Sequence, residues 1–414
     1  MAKVLTGLTA LLACLLLFPA ASGRAATHPV HAIGSAGALL RKLFNPDPGG
    51  YNYLSDQFGW SVALSGTTAV IGARDVYSNS GAGAAYIYVK GATSWPRHPT
   101  VTLADPAGTA GDEFGTSVAI DGDTIVVGAP GAASGTGAAY VYVKGAAGWP
   151  TTPTATLPGP GGAARGGFGQ SVAVSGGTVV VGAAAVEAPL GSAAYIYVKG
   201  VSGWPATPST TLADPGAAAQ DQFGWSVAVS GTTAIVGAPG AASFAGAAYV
   251  YVKGASGWPG TPATTLPAPR AGAQDSFGFA VAVSGTTAIV GAPARNPGFA
   301  YVYTERHGGW PSAPAVTLND NVSGAGAFGH GVAVSGDTAI VGAPDTYGPT
   351  ASGGAFFYVK GSAGWPATPT ASVALPQSAG LPDFGWSAAV SGATALVGIM
   401  GANNGGGMTD IYQA

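Results

Sequence analysis

A short phrase recurs seven times in this chain and restricts the possible fold more than any other feature. Each copy has Phe-Gly, then Ser-Val-Ala or a variant, a tight turn, and an apolar run ending in Gly-Ala-Pro or a remnant of it. The copies begin at Phe58, Phe114, Phe168, Phe223, Phe277, Phe328 and Phe384. These phenylalanines are 56, 54, 55, 54, 51 and 56 residues apart. Such regular spacing is typical of stacked supersecondary units and not of duplicated domains.

The composition favours short strands over helices. Only 8% of the residues are charged, and the chain has 69 Gly and 31 Pro, which punctuate brief runs of Val, Ile, Ala and Tyr. A disordered chain is the alternative. It is disfavoured because hydrophobic residues make up 47% of the chain and alternate with the period of a strand, so there is enough apolar surface to bury.

The N-terminal residues predict an export signal. Lys3 precedes an apolar stretch that runs to about Ala21, and small residues follow it, so we assign 1–26 to a cleaved signal peptide and 27–37 to a flexible segment. An uncleaved membrane anchor is the alternative. The single cysteine, Cys14, lies inside the apolar stretch and not at its end, where a lipidated cysteine is expected. The mature chain therefore has no disulfide and depends on its core for stability.

The fourth copy shows how one repeat is divided into strands. Its alternation places Val227 and Val229 on one face and Ala228 on the other. Gly and Pro punctuate the rest of the copy, and Pro ends strands because it donates no ladder hydrogen bond. The predicted strands are Phe223–Ser230, Thr232–Val236, Ala247–Lys253 and Ala263–Leu266.

Seven such units predict an all-β chain, a seven-bladed β-propeller of four-stranded antiparallel blades over 38–414. The seventh copy ends after its third strand, at Gln413, whereas Leu43-Phe44-Asn45-Pro46 matches the fourth-strand ending Leu103-Ala104-Asp105-Pro106. We therefore expect the N-terminal strand to complete the last blade and to hide its open edges. An open solenoid is the alternative, but it does not account for this complementary truncation.

The repeated motif resembles a known family. Phe223-Gly224 with Gly237-Ala238-Pro239, and its equivalents in other copies, are similar to the FG-GAP repeat of the integrin alpha-subunit β-propeller and its compact bacterial exported relatives. The resemblance covers essentially the whole mature chain. It implies the propeller fold, whereas propellers serve adhesion, lectin, enzymatic and scaffolding roles alike.

The resemblance also implies calcium, which integrin-type repeats often bind in an aspartate-rich hairpin between the first two strands. The corresponding hairpins here carry only Asp121, Asp123 and Asp337. These residues cannot supply the six or more oxygen ligands that calcium requires, and aspartate is a common turn residue. We therefore predict no metal and no cofactor.

Charged residues recur at equivalent positions. Aspartates that precede the repeat phenylalanine predict either an acidic ring on one face or side chains bonded to the local backbone: Asp56, Asp112, Asp221, Asp275 and Asp383. Lysines that follow the third strand are expected on the opposite face: Lys90, Lys144, Lys199, Lys253 and Lys360. A net charge of −3 argues against nucleic acid as a partner.

A tryptophan precedes proline in six copies. Exposed rings in this turn are suited to a multivalent glycan rim, whereas buried rings would cap the space between outer strands. The residues are Trp95, Trp149, Trp204, Trp258, Trp310 and Trp365.

Catalytic signals are weak in this sequence. The five histidines, at 28, 31, 98, 307 and 330, show no metal-ligand spacing. The serine of Gly224-Trp225-Ser226 recurs in most copies within a regular strand, which predicts a structural role and not a nucleophile elbow. We expect no enzyme.

The connections between second and third strands differ most between copies, and variable loops on a rigid scaffold are typical of binding sites. Our candidate ligand-binding residues are Arg74, Asp75, Tyr77, Glu187, Phe244, Arg295, Asn296, Asp345 and Tyr347.

These features together predict an exported, monomeric recognition or adhesion module, secreted or in the cell envelope, with no stable membrane insertion after signal cleavage. Its partner would be an extracellular protein or a glycan. The alternatives are a secreted carbohydrate-active enzyme with paired carboxylates in the central mouth, a lectin, and a structural envelope component.

Overall fold

The structure is a computed structural model. It describes residues 36–46, 57–74, 81–160, 166–184, 192–216, 220–270, 274–294, 298–320, 326–344, 353–374, 383–400 and 406–414. Within these ranges the strands form seven four-stranded antiparallel sheets.

The strands of the described residues, in chain order, are β1 (Leu39–Phe44), β2 (Phe58–Ser65), β3 (Thr68–Ala73), β4 (Ala84–Val89), β5 (Val101–Ala104), β6 (Ser117–Asp121), β7 (Thr124–Ala129), β8 (Ala138–Val143), β9 (Ala155–Pro158), β10 (Phe168–Ser175), β11 (Thr178–Ala183), β12 (Ala193–Val198), β13 (Thr210–Ala213), β14 (Ser226–Ser230), β15 (Thr233–Ala238), β16 (Ala247–Val252), β17 (Thr264–Pro267), β18 (Ala280–Ser284), β19 (Thr287–Ala292), β20 (Phe299–Thr304), β21 (Val316–Leu318), β22 (Val332–Ser335), β23 (Thr338–Ala343), β24 (Gly354–Val359), β25 (Ala371–Ala374), β26 (Phe384–Ser391), β27 (Thr394–Ile399) and β28 (Met408–Gln413). Two short helical turns, α1 (Ala132–Gly135) and α2 (Ala241–Phe244), follow β7 and β15.

The sheets are the blades of a closed ring. Blades 1 to 6 are β2–β5, β6–β9, β10–β13, β14–β17, β18–β21 and β22–β25, each in chain order from the innermost strand outwards. Blade 7 consists of β26, β27 and β28, with β1 as its outermost strand. Strand β2 packs against both β6 of blade 2 and β26 of blade 7. The predicted seven-bladed propeller is confirmed.

The N-terminal strand closes the ring as predicted. β1 pairs antiparallel with β28, with Leu43 opposite Thr409 and Phe44 opposite Met408. Leu43 is fully buried, like its counterpart Leu103. The predicted signal peptide lies outside the described residues.

Blade 4 shows where the predicted strand limits were wrong. β14 begins at Ser226 and not at Phe223, because its ladder with β15 starts at the pair of Ser226 and Gly237. β15 continues to Ala238, since Gly237 and Ala238 still pair with β16. The predicted alternation is confirmed, because Val227 and Val229 pack in the core between blades 3 and 4, whereas Ala228 packs towards blade 5.

A backbone contact between neighbouring blades explains the repeated motif. A Cβ atom on Gly237 of blade 4 would overlap the carbonyl oxygen of Gly278 in blade 5. The same overlap recurs at all seven interfaces, including Gly398 of blade 7 against Gly59 of blade 1. Gly278 itself has φ +91°, which side chains rarely permit. The motif therefore supplies two glycines that meet across each interface.

Serine hydroxyls complete this contact. Ser226 Oγ donates a hydrogen bond to the carbonyl oxygen of Gly278 at 2.8 Å, and Ser387 Oγ donates to that of Gly59 at 2.7 Å. The recurring serine thus serves the blade interface.

The hairpins between first and second strands form a second ring of hydrogen bonds. The Gly285 N–H of blade 5 donates to Ser230 Oγ of blade 4 at 3.1 Å. In blade 2 an aspartate replaces the serine, and Asp121 Oδ2 accepts from the Gly176 N–H at 2.6 Å. The remaining bonds join Gly66 to Ser391, Gly122 to Ser65, Gly231 to Ser175, Gly336 to Ser284 and Gly392 to Ser335.

We predict that Gly237→Ala lowers the free energy of unfolding by about 3 kcal/mol, because the new methyl group forces blades 4 and 5 apart. Gly254→Ala is the matched control in the same blade, since a Cβ there would have nothing within 4 Å. Urea denaturation monitored by circular dichroism compares the two variants. Equal stabilities would contradict this account of the interface.

A buried ion pair distinguishes the closing strand. In blade 4 Tyr249 of the third strand lies opposite Thr265 of the fourth. The equivalent pair in blade 7 is Asp410 opposite Lys42. Asp410 is fully buried, its Oδ2 lies 3.7 Å from Lys42 Nζ, and it accepts a hydrogen bond from the Tyr412 hydroxyl at 2.9 Å. Burial raises the pKa of Asp410 to about 6, and Lys42 acts against this rise.

We predict that Lys42→Thr lowers the free energy of unfolding by about 2 kcal/mol at pH 7, because it leaves a buried carboxylate without its counter-ion. The native pKa of Asp410 lies above its ordinary value, so the folded state favours the neutral acid and the deficit shrinks as the pH falls towards 4.

The double variant Lys42→Thr/Asp410→Tyr introduces into blade 7 the tyrosine–threonine pair of blade 4 and serves as the control. Denaturation at several pH values compares the variants. A single variant as stable as the wild type at pH 7 would exclude a role for the ion pair in closure.

Candidate functional site

The two faces of the ring differ in their connections. We call the face where the innermost strands begin the loop face, because the connections between second and third strands also lie there: Phe58 pairs with Ala73, directly before Arg74. The opposite face, with the hairpins and the Trp-Pro turns, is the hairpin face.

The side chains that line the central channel are apolar. Three consecutive residues of each innermost strand line it, for example Val227, Ala228 and Val229 in blade 4, and its volume is about 210 Å³. All its lining residues are Val, Ala, Leu or Ile. Polar side chains near the axis therefore belong to the mouths of the channel.

An arc of aromatic side chains surrounds the mouth on the loop face. The residue after each Phe-Gly pair stands directly above the channel lining, and it is aromatic in blades 4, 5, 6, 7 and 1. We call these half-buried residues the aromatic arc: Trp225, Phe279, His330, Trp386 and Trp60. Thr116 and Gln170 hold the equivalent positions in blades 2 and 3.

The rings of the arc contact one another from blade to blade. The centroid of Phe279 lies 5.6 Å from that of Trp225 and 4.8 Å from that of His330. Trp386 lies 4.2 Å from His330 and 4.8 Å from Trp60. Neighbouring planes are tilted by 45–49°, so the rings form a continuous curved surface.

Arg74, a predicted site residue, ends the arc. Its guanidinium carbon lies 3.3 Å from the ring centroid of Trp60, a cation–π contact. Its Nε donates to Gln57 Oε1 at 2.7 Å, and its Nη1 lies 4.0 Å from Glu113 Oε2 in blade 2. Arg74 thus joins the aromatic part of the mouth to its polar part.

His330 is neutral at physiological pH. Its surroundings, including the rings of Phe279 and Trp386, remove it from water and lower its pKa to about 4. Its Nδ1–H donates to the carbonyl oxygen of Trp386 at 2.8 Å, which opposes the shift and fixes the tautomer. The arc itself therefore carries no charge near pH 7.

Phe244, a second predicted site residue, lies in α2 and is 42% exposed. Its φ is +69°, whereas the equivalent residue in α1 is Gly135, with φ +88°. Its carbonyl oxygen accepts a hydrogen bond from the Ser276 N–H of blade 5 at 3.0 Å. The other predicted loop residues lie outside the described residues: Asp75, Tyr77, Glu187, Arg295, Asn296, Asp345 and Tyr347.

The Trp-Pro tryptophans are packed in the molecule. Five of the six are 2–8% exposed, and Trp204 is half-buried. Each packs in a core between blades, as Trp258 does with Tyr251. Trp95, Trp149, Trp258, Trp310 and Trp365 therefore expose no ring faces for a glycan. They agree with the alternative interpretation, in which the rings cap the space between outer strands.

Among the described residues, the recurring aspartates form no exposed acidic ring. Asp112, Asp221 and Asp275 are buried and Asp383 is half-buried, whereas Asp56 lies outside the described residues. Burial, reinforced by Asp105, raises the pKa of Asp112 to about 6. An aspartate that ends a fourth strand bonds to the local backbone: Asp105 accepts from the Thr109 N–H at 3.2 Å.

The described residues contain no group of three or more His, Cys, Asp or Glu arranged to bind a metal ion. No helix in the same ranges is long and apolar enough to cross a membrane.

The aromatic arc was not predicted from the sequence. Five of seven copies have an aromatic residue after Phe-Gly, but this position lies inside the repeated motif, where recurrence indicates a structural role.

Comparison with known proteins identifies the repeats. A family model described as FG-GAP repeat matches residues 53–88, 100–142, 152–197, 208–251 and 263–303. A search of curated proteins found no match. Among solved structures, the crystal structure of Sqt1 from Chaetomium thermophilum is similar at 13% identity, with a TM-score of 0.49, over 90% of this chain and 83% of that chain.

We predict that a ¹³C NMR titration of His330 gives a pKa near 4, and that Trp386→Ala raises it towards the ordinary value, because water reaches the imidazole once the indole is removed. The depressed pKa means that the histidine contributes stability above about pH 6.5, which is lost as the pH falls through 4. An unchanged pKa in the variant would show that the indole does not desolvate the histidine.

Proposed function

Because the chain belongs to the FG-GAP repeat family, we propose that it is a non-catalytic recognition or adhesion module that binds a protein or a surface glycan through the loop face. The observation that carries the proposal is the conformation of Phe244. A large, exposed aromatic side chain is held there in the left-handed region.

The two helical turns make the comparison direct. α1 and α2 share the sequence Gly-Ala-Ala-Ser before the residue in question, and both have left-handed residues at the same places. Blade 2 uses Gly135 where blade 4 uses Phe244, although a non-glycine residue costs about 1 kcal/mol in this conformation. Exposed side chains gain little from packing, so the retained phenylalanine supports a role in contacting a partner.

The contrast between the faces also supports the proposal. The hairpin face repeats the same hydrogen-bonded turns in every blade, whereas the loop face combines Phe244, Arg74, the aromatic arc and the connections that differ most between copies. Rigid strands that present variable connections on one side are typical of binding scaffolds.

We infer further that the module is exported, to the cell envelope or the medium, and acts as a monomer. The N-terminal sequence is the support for export. The repeat serine, the most plausible nucleophile in sequence, donates its hydroxyl to the neighbouring blade, which supports binding without catalysis.

The test is co-sedimentation of the purified chain with isolated cell envelopes of the organism that produces it. Replacing segments 75–80, 185–191, 295–297, 345–350 and 401–405 by Gly/Ala/Ser sequence, together with Phe244→Gly, should reduce binding at least about tenfold, because the contacts of the loop face are lost.

A hairpin-face variant, Arg97→Ala/His98→Ala/Val201→Ser, provides the control and should bind like the wild type, since these residues are exposed on the other side. Binding that survives the loop exchange, or that is lost in the hairpin-face variant, would refute the proposed site.

A further inference from the structure

We propose that the aromatic arc is a binding surface for a neutral glycan, whose sugar rings stack on Trp225, Phe279, His330 and Trp386 above the channel. The inference rests on the proposed function and specifies the ligand class for the same face. It departs from the Trp-Pro rim, where the rings are buried, and places the ligand at the axis of the molecule.

The first argument is the shape of the arc. Successive centroids are 4.2–5.6 Å apart across four interfaces, so one sugar ring can contact two neighbouring side chains. Because each plane is tilted relative to the next by 45–49°, the rings expose edges and partial faces along a curve. Such a surface suits a chain of small, stiff rings better than a single flat ligand.

The second argument is the polar part of the same mouth. Opposite the arc stand Gln170, which is half-buried, and Thr116, which is buried and whose hydroxyl donates to the Glu113 carbonyl. The Glu113 carboxylate is partly exposed beside Arg74. Apolar walls with a few convergent hydrogen-bonding groups are typical of small-ligand sites, and a sugar has an apolar C–H face and polar hydroxyl groups.

The third argument is charge. His330 is neutral near pH 7, and the cation-binding face of Trp60 is already occupied by the guanidinium of Arg74. Arg74 and Glu113 lie 4.0 Å apart, so their charges offset each other and the pair offers no net charge to attract an ionic ligand. This favours a glycan without carboxylate, sulfate or amine groups.

The tryptophans permit a direct test. The chain has nine tryptophans: three in the arc and six in the Trp-Pro turns. We would label the protein with 5-fluorotryptophan, assign the arc resonances by Trp60→Phe, Trp225→Phe and Trp386→Phe, and titrate cellohexaose, chitohexaose, mannohexaose and laminarihexaose by ¹⁹F NMR. A concentration of about 10 mM reaches well beyond a dissociation constant of about 1 mM.

The expected result is a saturable shift of the arc resonances with at least one oligosaccharide, and unchanged resonances in the Trp-Pro turns. Phe279→Ala, which removes a stacking ring without touching a tryptophan label, should weaken that binding about tenfold. Val201→Ser on the hairpin face, where the side chain is fully exposed, is the control and should leave the affinity unchanged. Thermal unfolding of each variant verifies that it is folded.

Shifts confined to the Trp-Pro resonances would overturn the proposal, as would saturable binding of choline chloride in place of sugars. The absence of any saturable shift would overturn it too. If no sugar binds but loop exchange still abolishes envelope binding, the proposed function stands and the partner is a protein. If the wild-type chain binds neither sugars nor envelopes, both the glycan proposal and the proposed function are rejected.

Discussion

The close approach of two backbones at every blade interface is the constraint on which the rest of the structure depends. The glycine of the second strand has no side chain, so the carbonyl oxygen of the next blade's Phe-Gly glycine can occupy the place of a Cβ. At five of the seven interfaces that carbonyl then accepts a serine hydroxyl from the first blade. Two glycines and a carbonyl thus set the distance between blades, and the phenylalanine and tyrosine rings fill the space that remains.

The same geometry separates the roles of the two faces. On the hairpin face each turn donates to its neighbour, so these turns are committed to holding the ring together. On the loop face the glycine after each phenylalanine leaves the next side chain at the channel mouth. The N–H of that residue donates to the carbonyl oxygen three residues earlier, as Trp225 does to Gln222. That position can vary without loss of the interface. In five blades it carries an aromatic ring, and in two it carries a polar side chain.

The ring is closed by an interaction that differs from the glycine contact between blades. The last blade takes its outer strand from the far end of the chain, and the pair of Lys42 and Asp410 replaces the threonine and tyrosine of blades 1 to 5. A buried charge is tolerated only beside its partner. The pair therefore favours this strand in this register over a strand of another copy, at the expense of desolvating a carboxylate.

Much of this architecture was predictable from local sequence. The spacing of Phe-Gly, the alternation of Val227, Ala228 and Val229, and the match between Leu43 and Leu103 identified the blades and their closure. The limits of β14 and β15 were not predictable, because pairing with neighbouring strands sets them: the β14 ladder starts only at Ser226, and pairing with β16 extends β15 to Ala238. Phe244 and Arg74 were predicted as site residues because they lie in connections that differ between copies, whereas Trp60 and Trp386 were hidden inside the repeat.

The sequence by itself determined the number of blades, the order of strands and the contacts that repeat, because each depends on residues close together in the chain and present in every copy. Only the tertiary structure decided which side chains meet. It buried five of the six Trp-Pro rings and three of the recurring aspartates, and it brought residues from five blades into one arc. A single repeat contains one member of that arc, and the curvature of the closed ring supplies the others.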